Sequence, residues 1–174
     1  MKSSAIRFCI VVLFCLPLAG CFKSDVALID KSNADWPFKR ASISMTGDDG
    51  QRRSYDLELC SSFYAVTSAP AEDKSMKDGR ILFHKVQNDL FIMQWQEPAD
   101  GTFYYLIVNM KGDQFTLDIC KGYKEETLSK FGMQMDDIKF CAIKSLEQLA
   151  SLAKIPLDEP HQRFTSGEIL RIER

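Results

Sequence analysis

The side chains able to carry out chemistry in this chain are few and widely spaced. Six are cysteines, whose thiolates act as nucleophiles, form disulfides and bind metals. The two histidines, His84 and His161, lie in distant segments and do not form a metal-binding signature. We interpret His84 as a solvent-facing strand residue and His161 as a loop residue. The sequence has no Gly-x-Ser-x-Gly motif and no phosphate-binding glycine loop, so it predicts no catalytic residue and no cofactor.

Two short clusters invite a metal-binding interpretation but are better explained as local structure. Met133 and Met135 precede Asp136 and Asp137. Two thioethers are soft ligands that suit Cu(I), but no histidine is near them in the sequence. We therefore interpret the methionines as alternate residues entering a strand. The acidic segment 48–50 lacks the ligand spacing of a calcium-binding loop and is typical of a hairpin turn, so the sequence predicts no metal site.

The start of the chain has the pattern of a secretory signal peptide. Lys2 and Arg7 supply positive charge, and an uninterrupted apolar run follows from Phe8 to Leu16. This run is well short of the ~20 apolar residues that a membrane-spanning helix needs. The sequence therefore favours a cleaved signal over a permanent transmembrane helix.

The signal ends in Leu18-Ala19-Gly20-Cys21, which resembles the bacterial lipobox: a branched apolar residue, a small residue, Gly or Ala, and then Cys. The resemblance covers the first 21 residues only. It implies that the sulfur of Cys21 receives a diacylglyceryl group, that a dedicated signal peptidase cleaves before Cys21, and that the new amino group is acylated, with palmitate for example. A simple signal peptide with a chance cysteine beside its cleavage site is the alternative.

The same resemblance implies a location. A lipidated protein of this kind is held on a bacterial membrane and faces the periplasm or the cell exterior. Several acyl chains give stable attachment, whereas one chain alone binds a membrane marginally. Phe22, rather than Asp, follows the lipidated residue, and this resembles lipoproteins sent to the outer membrane of Gram-negative cells. The membrane is therefore a predicted partner, through the lipid anchor.

The remainder of the chain predicts one mildly acidic domain. We interpret residues 1–20 as the signal peptide, 21–35 as the lipidated cysteine and a polar tether, and 36–174 as a single globular domain. A tether of this length reaches up to ~45 Å when fully extended; the apolar stretch Val26–Ile29 could instead form a short edge strand. The net charge of the whole chain is −2, and losing the two basic residues of the signal makes it more negative. Such a domain does not fit nucleic-acid binding.

Three cysteines remain after the signal peptide and Cys21 are set aside: Cys60, Cys120 and Cys141. The space beyond the inner membrane is oxidising, so disulfides are permitted there. Three thiols allow one bond in three pairings. We favour Cys120–Cys141, because these residues bracket a stretch with little apolar periodicity. Three buried free thiols are the alternative.

Strand-like runs dominate the middle of the chain. Residues 41–59 alternate apolar and polar side chains around a turn cluster and predict a hairpin. Four further runs are Arg80–Val86, Asp89–Gln96, Thr102–Met110 and Gln114–Ile119. The connectors between these runs are short, so neighbouring strands must be antiparallel. The sequence predicts a β-meander here.

Two of these runs carry large apolar side chains on both faces. In the second run Leu90 and Ile92 alternate with Phe91 and Trp95, so we expect this strand to be covered on both sides. In the third run Tyr104 must point away from Phe103 and Tyr105. An aromatic patch on an uncovered face would be a candidate binding surface.

Helical patterns appear only in the C-terminal third. Residues 145–154 predict a helix with Ser145 as the N-cap, and a shorter helix is predicted over Lys124–Phe131. A strand is predicted at 138–143 and another at 168–172. We therefore predict an α+β fold, with a mainly antiparallel, strongly curved sheet and one or two helices. An all-β sandwich or small barrel is the alternative.

The sequence predicts a place and a class of role rather than a specific activity. We favour a non-enzymatic, membrane-anchored envelope lipoprotein whose domain binds another envelope protein. The alternative is an anchored hydrolase, or a protein that binds a small molecule or a metal, with a site assembled from distant residues such as His84, His161 or Cys60. A third interpretation is an anchored spacer without a ligand.

Overall fold

A computed structural model of the protein describes residues 21–46, 50–99, 101–137, 140–160 and 165–174. The predicted turn at 48–50 and strand at 138–143 lie partly outside these ranges, and His161 lies wholly outside them. The strands in the described part of the chain are β1 (Phe22–Ser24), β2 (Arg40–Thr46), β3 (Arg52–Cys60), β4 (Phe63–Ser68), β5 (Arg80–Gln87), β6 (Leu90–Gln96), β7 (Phe103–Lys111), β8 (Gln114–Asp118), β9 (Cys141–Ala142) and β10 (Thr165–Glu173).

Eight of these strands close into a barrel in the order β2-β3-β4-β5-β6-β7-β8-β10. Each consecutive pair along β2 to β8 is antiparallel, so the predicted meander over β5 to β8 is confirmed. The predicted mainly antiparallel sheet is present, but it closes on itself, so the small barrel named as the alternative fits the structure better than a meander sheet. The sheet closes because β10 pairs with β8 through Thr165–Glu168 and with β2 through Gly167–Glu173. Because the barrel is closed, each of the eight strands is hydrogen-bonded to a neighbouring strand on both sides for at least part of its length.

Side chains fill the barrel interior. An eight-stranded barrel is just wide enough for this, and the inward residues here include many aromatic rings. The interior cluster contains Cys21, Phe38, Ala41, Tyr55, Leu57, Tyr64, Val66, Ile81, Phe83, Phe91, Trp95, Leu106, Val108, Phe115, Leu117, Ile119 and Phe140. Phe38 packs within this cluster, with its ring centroid 4.6 Å from that of Tyr64 and 5.8 Å from that of Phe83.

A second apolar layer covers the outside of the barrel at β6 and β7. Helices α1 (Glu125–Lys130) and α2 (Leu146–Ala153) supply much of it, and both agree with the predicted helices within two residues at either end. The hydroxyl of Ser145 accepts a hydrogen bond from the Gln148 amide at 3.2 Å, which confirms the N-cap. Ile92 of β6 is buried in this outer layer, while Phe91 and Trp95 are buried in the barrel. The prediction that β6 is covered on both faces is confirmed.

Glycine is required where the closing strand passes its neighbours. A Cβ built on Gly167 would lie 2.3 Å from the carbonyl oxygen of Ser44 and 2.6 Å from the ring of Phe115. Both are closer than real Cβ contacts allow, and the first neighbour is backbone and cannot rotate away. The absence of a side chain at Gly167 is therefore what lets β10 fit between β2 and β8.

Candidate functional site: the anchor cysteine and the N-terminal strap

Cys21, the residue predicted from the sequence to be lipidated, adjoins a paired strand in the structure. Its carbonyl oxygen accepts a hydrogen bond from the Cys141 amide at 3.1 Å. Its side chain is 0% exposed and belongs to the barrel interior cluster. Burial raises the pKa of the Cys21 thiol to about 12. The thiol in this position is therefore protonated at neutral pH and is not a nucleophile.

Residues 21–35, which we call the N-terminal strap, do not form the free tether predicted from their polar composition. Strand β1 runs antiparallel to β7, with Phe22 opposite Tyr105, and parallel to β9, with Phe22 opposite Cys141. Phe22 and Ile29 are buried in the outer apolar layer. These two large side chains hold the strap on the barrel, and the apolar stretch Val26–Ile29 was the one sign of this in the sequence.

The middle of the strap is fixed by a buried polar network centred on Gln94. The side-chain oxygen of Gln94 accepts hydrogen bonds from the amides of Leu28 (3.0 Å) and Ile29 (2.8 Å), and its side-chain nitrogen donates to the Ile29 carbonyl at 3.0 Å. Gln94 is only 3% exposed. A buried side-chain amide needs such partners, and here the strap backbone provides them.

Tyr105 completes this network. Its hydroxyl accepts a hydrogen bond from the Leu28 amide at 2.9 Å and lies 2.9 Å from Gln94 Oε1 and 3.1 Å from the carbonyl oxygen of Val26. Burial raises the pKa of Tyr105 to about 12, so the hydroxyl keeps the proton that it shares between these acceptors. The sequence analysis missed both residues as strap-binding groups. Gln94, which lies between Met93 and Trp95 in a mainly apolar strand, was the available signal.

His84 also holds the strap. Its Nδ1 lies 2.7 Å from the carbonyl oxygen of Asn33. A carbonyl only accepts hydrogen bonds, so Nδ1 carries the proton and donates it. The carboxylate of Asp35 accepts a hydrogen bond from the Lys85 amide at 2.7 Å and lies 3.9 Å from the same His84 nitrogen. His84 is half buried by these contacts, so it is not the freely solvent-facing residue that we predicted.

A disulfide lies beside the strap. Cys120 and Cys141 are bonded, with Cα atoms 6.0 Å apart, which is compatible with the pair favoured from the sequence. Cys120 directly follows the segment that leaves β8, and Cys141 begins β9. The bond therefore connects the strand that flanks β1 to the barrel wall. Cys60 is a free, half-buried thiol at the turn between β3 and β4.

Aromatic rings cover the end of the barrel where β1 lies. The rings of Trp95 and Tyr104 stack at 5.8 Å, and Phe140 lies 5.7 Å from Tyr104. Lys23 sits 4.9 Å above the Phe140 ring and forms a 2.9 Å ion pair with Asp136. Tyr104 thus faces the interior while Tyr105 faces the outer layer, as their alternation predicts. Both faces are covered here, so these rings do not form the exposed patch that was considered.

Exposed apolar side chains occur on β10 instead. The register between β10 and β2 shifts at Ile169–Arg171, which marks a β-bulge. Leu170, within this bulge, is 55% exposed, and Ile172 is 39% exposed. Bulges re-aim side chains, and here the extra residue is an exposed leucine. Among the described residues, these are two of only five large apolar side chains that the structure leaves exposed.

Elsewhere in the described ranges, reactive side chains do not come together in a second candidate site. A shallow groove beside β2 and β10 contains Arg52, but that guanidinium is hydrogen-bonded to Ser44 and ion-paired with Glu168. No group of three or more His, Cys, Asp or Glu side chains in the described ranges could hold a metal ion. Met133 is buried in the outer apolar layer. Within these same ranges no helix has the length and apolar character to cross a membrane.

Comparison with protein-family models, with curated proteins and with solved structures finds no match for this chain.

Proposed function

We propose that this protein is a bacterial envelope lipoprotein, held on a membrane by acyl chains on Cys21, whose barrel binds another envelope component without catalysing a reaction. The observation that carries this proposal is the lipobox-like Leu18-Ala19-Gly20-Cys21 after a basic start and a short apolar run. Phe22 after the anchor residue supports the outer membrane as the destination in a Gram-negative cell.

The cysteine arrangement supports this location. A bonded Cys120–Cys141 pair suits the oxidising space beyond the inner membrane and is unusual for a protein of the reducing cytosol. Acylation would consume the thiol of Cys21, which leaves Cys60 as the single free thiol among the four cysteines from position 21 onward. The proposed envelope location therefore explains the state of three of these four cysteines: Cys21 would be acylated, and Cys120 and Cys141 are bonded to each other.

Replacing Cys21 with serine is expected to abolish lipidation. A serine hydroxyl does not form the thioether, so the Cys21→Ser protein should remain as an unprocessed precursor and incorporate no labelled fatty acid. Metabolic labelling with a fatty acid, followed by intact-mass measurement, gives the result. Cys60→Ser is the matched control and should be labelled and processed like the wild type. A Cys21→Ser protein that is still labelled and shortened would disprove the anchor.

The exposed bulge on β10 favours a binding role over a spacer role. Leu170 and Ile172 expose apolar surface beside a strand that is otherwise built into the barrel. Contiguous exposed apolar patches on a folded domain mark protein contacts, and Leu170 and Ile172 are exposed two positions apart on the same strand. A pocket converging on His84 or Cys60 would favour the hydrolase or ligand-binding alternative, but His84 is bonded to the strap and Cys60 lies at a turn.

A photo-reactive amino acid placed at position 170 of the full-length protein is expected to form one covalent adduct of constant mass in cells. The same residue at Lys154, an exposed position at the end of α2, is the control and should give no adduct. Adding Arg171→Asp should weaken the adduct at position 170, because a new charge would adjoin the apolar contact. Equal adducts at positions 170 and 154, or none at 170, would contradict a binding role for the bulge.

A further inference from the structure

Cys21 immediately precedes β1 and lies on the inner face of the barrel wall. Successive side chains of a strand point to opposite faces, so Cys21 and Lys23 share one face while Phe22 lies on the other. Lys23 contacts the ring of Phe140, which belongs to the interior cluster, whereas Phe22 packs in the outer layer. The sulfur of Cys21 is therefore directed into the barrel, and its side chain is 0% exposed.

The interior that surrounds Cys21 is occupied by other buried side chains. Diacylglyceryl attachment adds a glycerol unit and two long acyl chains to the sulfur. Protein interiors are packed as densely as organic crystals, and this barrel is filled by its own side chains. Leu106 and Ile119, two other members of the interior cluster, are also buried. The docked thiol is also protonated, because burial raises its pKa to about 12, so the docked form is not the one that is acylated.

We infer that acylation of Cys21 and docking of strand β1 exclude each other, so that the anchored protein carries its first residues released from the barrel. This inference rests on the proposed lipid anchor. The acylated form has the same barrel with β1 withdrawn from between β7 and β9.

The segment of the strap that is released ends at a defined residue. Val26 is the first strap residue whose backbone is bonded to the Gln94–Tyr105 network, and Leu28 and Ile29 follow. These bonds do not involve Cys21 and persist when β1 leaves. The released segment is therefore residues 21–25, which spans about 16 Å when extended at ~3.3 Å per residue. The barrel is held much closer to the membrane than the ~45 Å that a free 21–35 tether would allow.

Release of β1 removes partners from two amides far away in the sequence. The Cys141 amide donates to the Cys21 carbonyl at 3.1 Å, and the Ile143 amide donates to the Lys23 carbonyl at 2.9 Å. The exchange rates of these two amides therefore show whether β1 is docked, although neither amide lies within residues 21–25. The Leu59 amide of β3, which donates to the Lys39 carbonyl at 2.8 Å and makes no bond to β1, is a matched reference.

Hydrogen exchange on the full-length protein in detergent tests the inference. We expect the Cys141 and Ile143 amides to exchange at least about tenfold faster in the acylated protein than in the Cys21→Ser protein, with Leu59 unchanged. Intact mass is recorded on the same samples. Acylated protein with equal protection at both reporter amides overturns the inference alone. A wild-type mass without acyl groups overturns the proposed anchor, so the two failures are distinguishable.

Engineered disulfides give a second measurement that does not depend on exchange rates. In a Cys60→Ala background, Ser24→Cys with Phe103→Cys places thiols at opposed positions of β1 and β7. This pair should crosslink when Cys21→Ser is also present and fail to crosslink in the acylated protein. The pair Arg40→Cys with Glu58→Cys, opposed in β2 and β3, should crosslink in both. Full crosslinking of 24 to 103 in acylated protein overturns the inference.

Discussion

Replacing Gln94 with leucine is expected to lower the free energy of unfolding by about 4 kcal/mol. The change leaves the buried Ile29 amide and carbonyl without their side-chain partners, and each unsatisfied buried group costs about 1–3 kcal/mol. Leu28 keeps one partner, because its amide also bonds to the Tyr105 hydroxyl. Urea unfolding of the purified protein measures the change, provided that the m-value, the dependence of the unfolding free energy on urea concentration, is the same in both proteins.

Gln96→Leu is the matched control for this prediction. Gln96 lies two residues further along β6, on the same face of the strand, but is only partly buried and makes none of the strap hydrogen bonds that Gln94 makes. We expect its replacement to change the unfolding free energy by less than about 0.5 kcal/mol. Equal effects of the two substitutions would show that the strap is not fastened by Gln94 and that the polar network contributes little.

Removing the disulfide is expected to destabilise the protein by about 3 kcal/mol. The bond closes a loop over a sequence separation of 21, and chain-entropy arguments give a value of this size for such a loop. The double variant Cys120→Ala with Cys141→Ala removes the bond without leaving a reactive thiol. Thermal or urea unfolding under non-reducing conditions measures the loss, and Cys60→Ala, which removes a free thiol, is the control.

Peptide mapping decides whether this pair is the bonded one. Digestion without reductant should give one crosslinked species that contains Cys120 and Cys141, while Cys60 is alkylated. Three alkylated thiols in the native protein would remove the disulfide from the structure. If the double variant were as stable as the wild type, the bond would be shown to form without constraining the unfolded chain.

Local patterns in the sequence predict the hairpins of this fold well. The strands from Arg80 to Asp118 are joined by short turns, so each pairs with the next and the period-two pattern identifies its two faces. Helix α2 is equally local, since Ser145 caps it and an apolar stripe follows. In each case the information that specifies the element lies within about ten residues of it.

Barrel closure was not predictable in this way. Strand β10 was recognised as a strand, but its two partners, β2 and β8, are chosen by packing in the folded chain rather than by a turn. The strap was mispredicted for a related reason. Its polar composition is typical of a tether, whereas Phe22 and Ile29 are buried by residues distant in sequence. Gln94, the residue that binds the strap, is likewise 65 positions from Ile29.

Strand β10, which closes the barrel, also limits the order in which the parts of the protein can fold. Thr165 of β10 donates a hydrogen bond to the carbonyl of Thr46, 119 positions earlier in the chain. Contacts of such high sequence separation form slowly, whereas hairpins form within microseconds. In the lipid-anchored protein that we propose, export would bring Cys21 and β2 across the membrane well before β9 and β10. The proposed modification of Cys21 would then take place before the barrel that encloses this residue has formed.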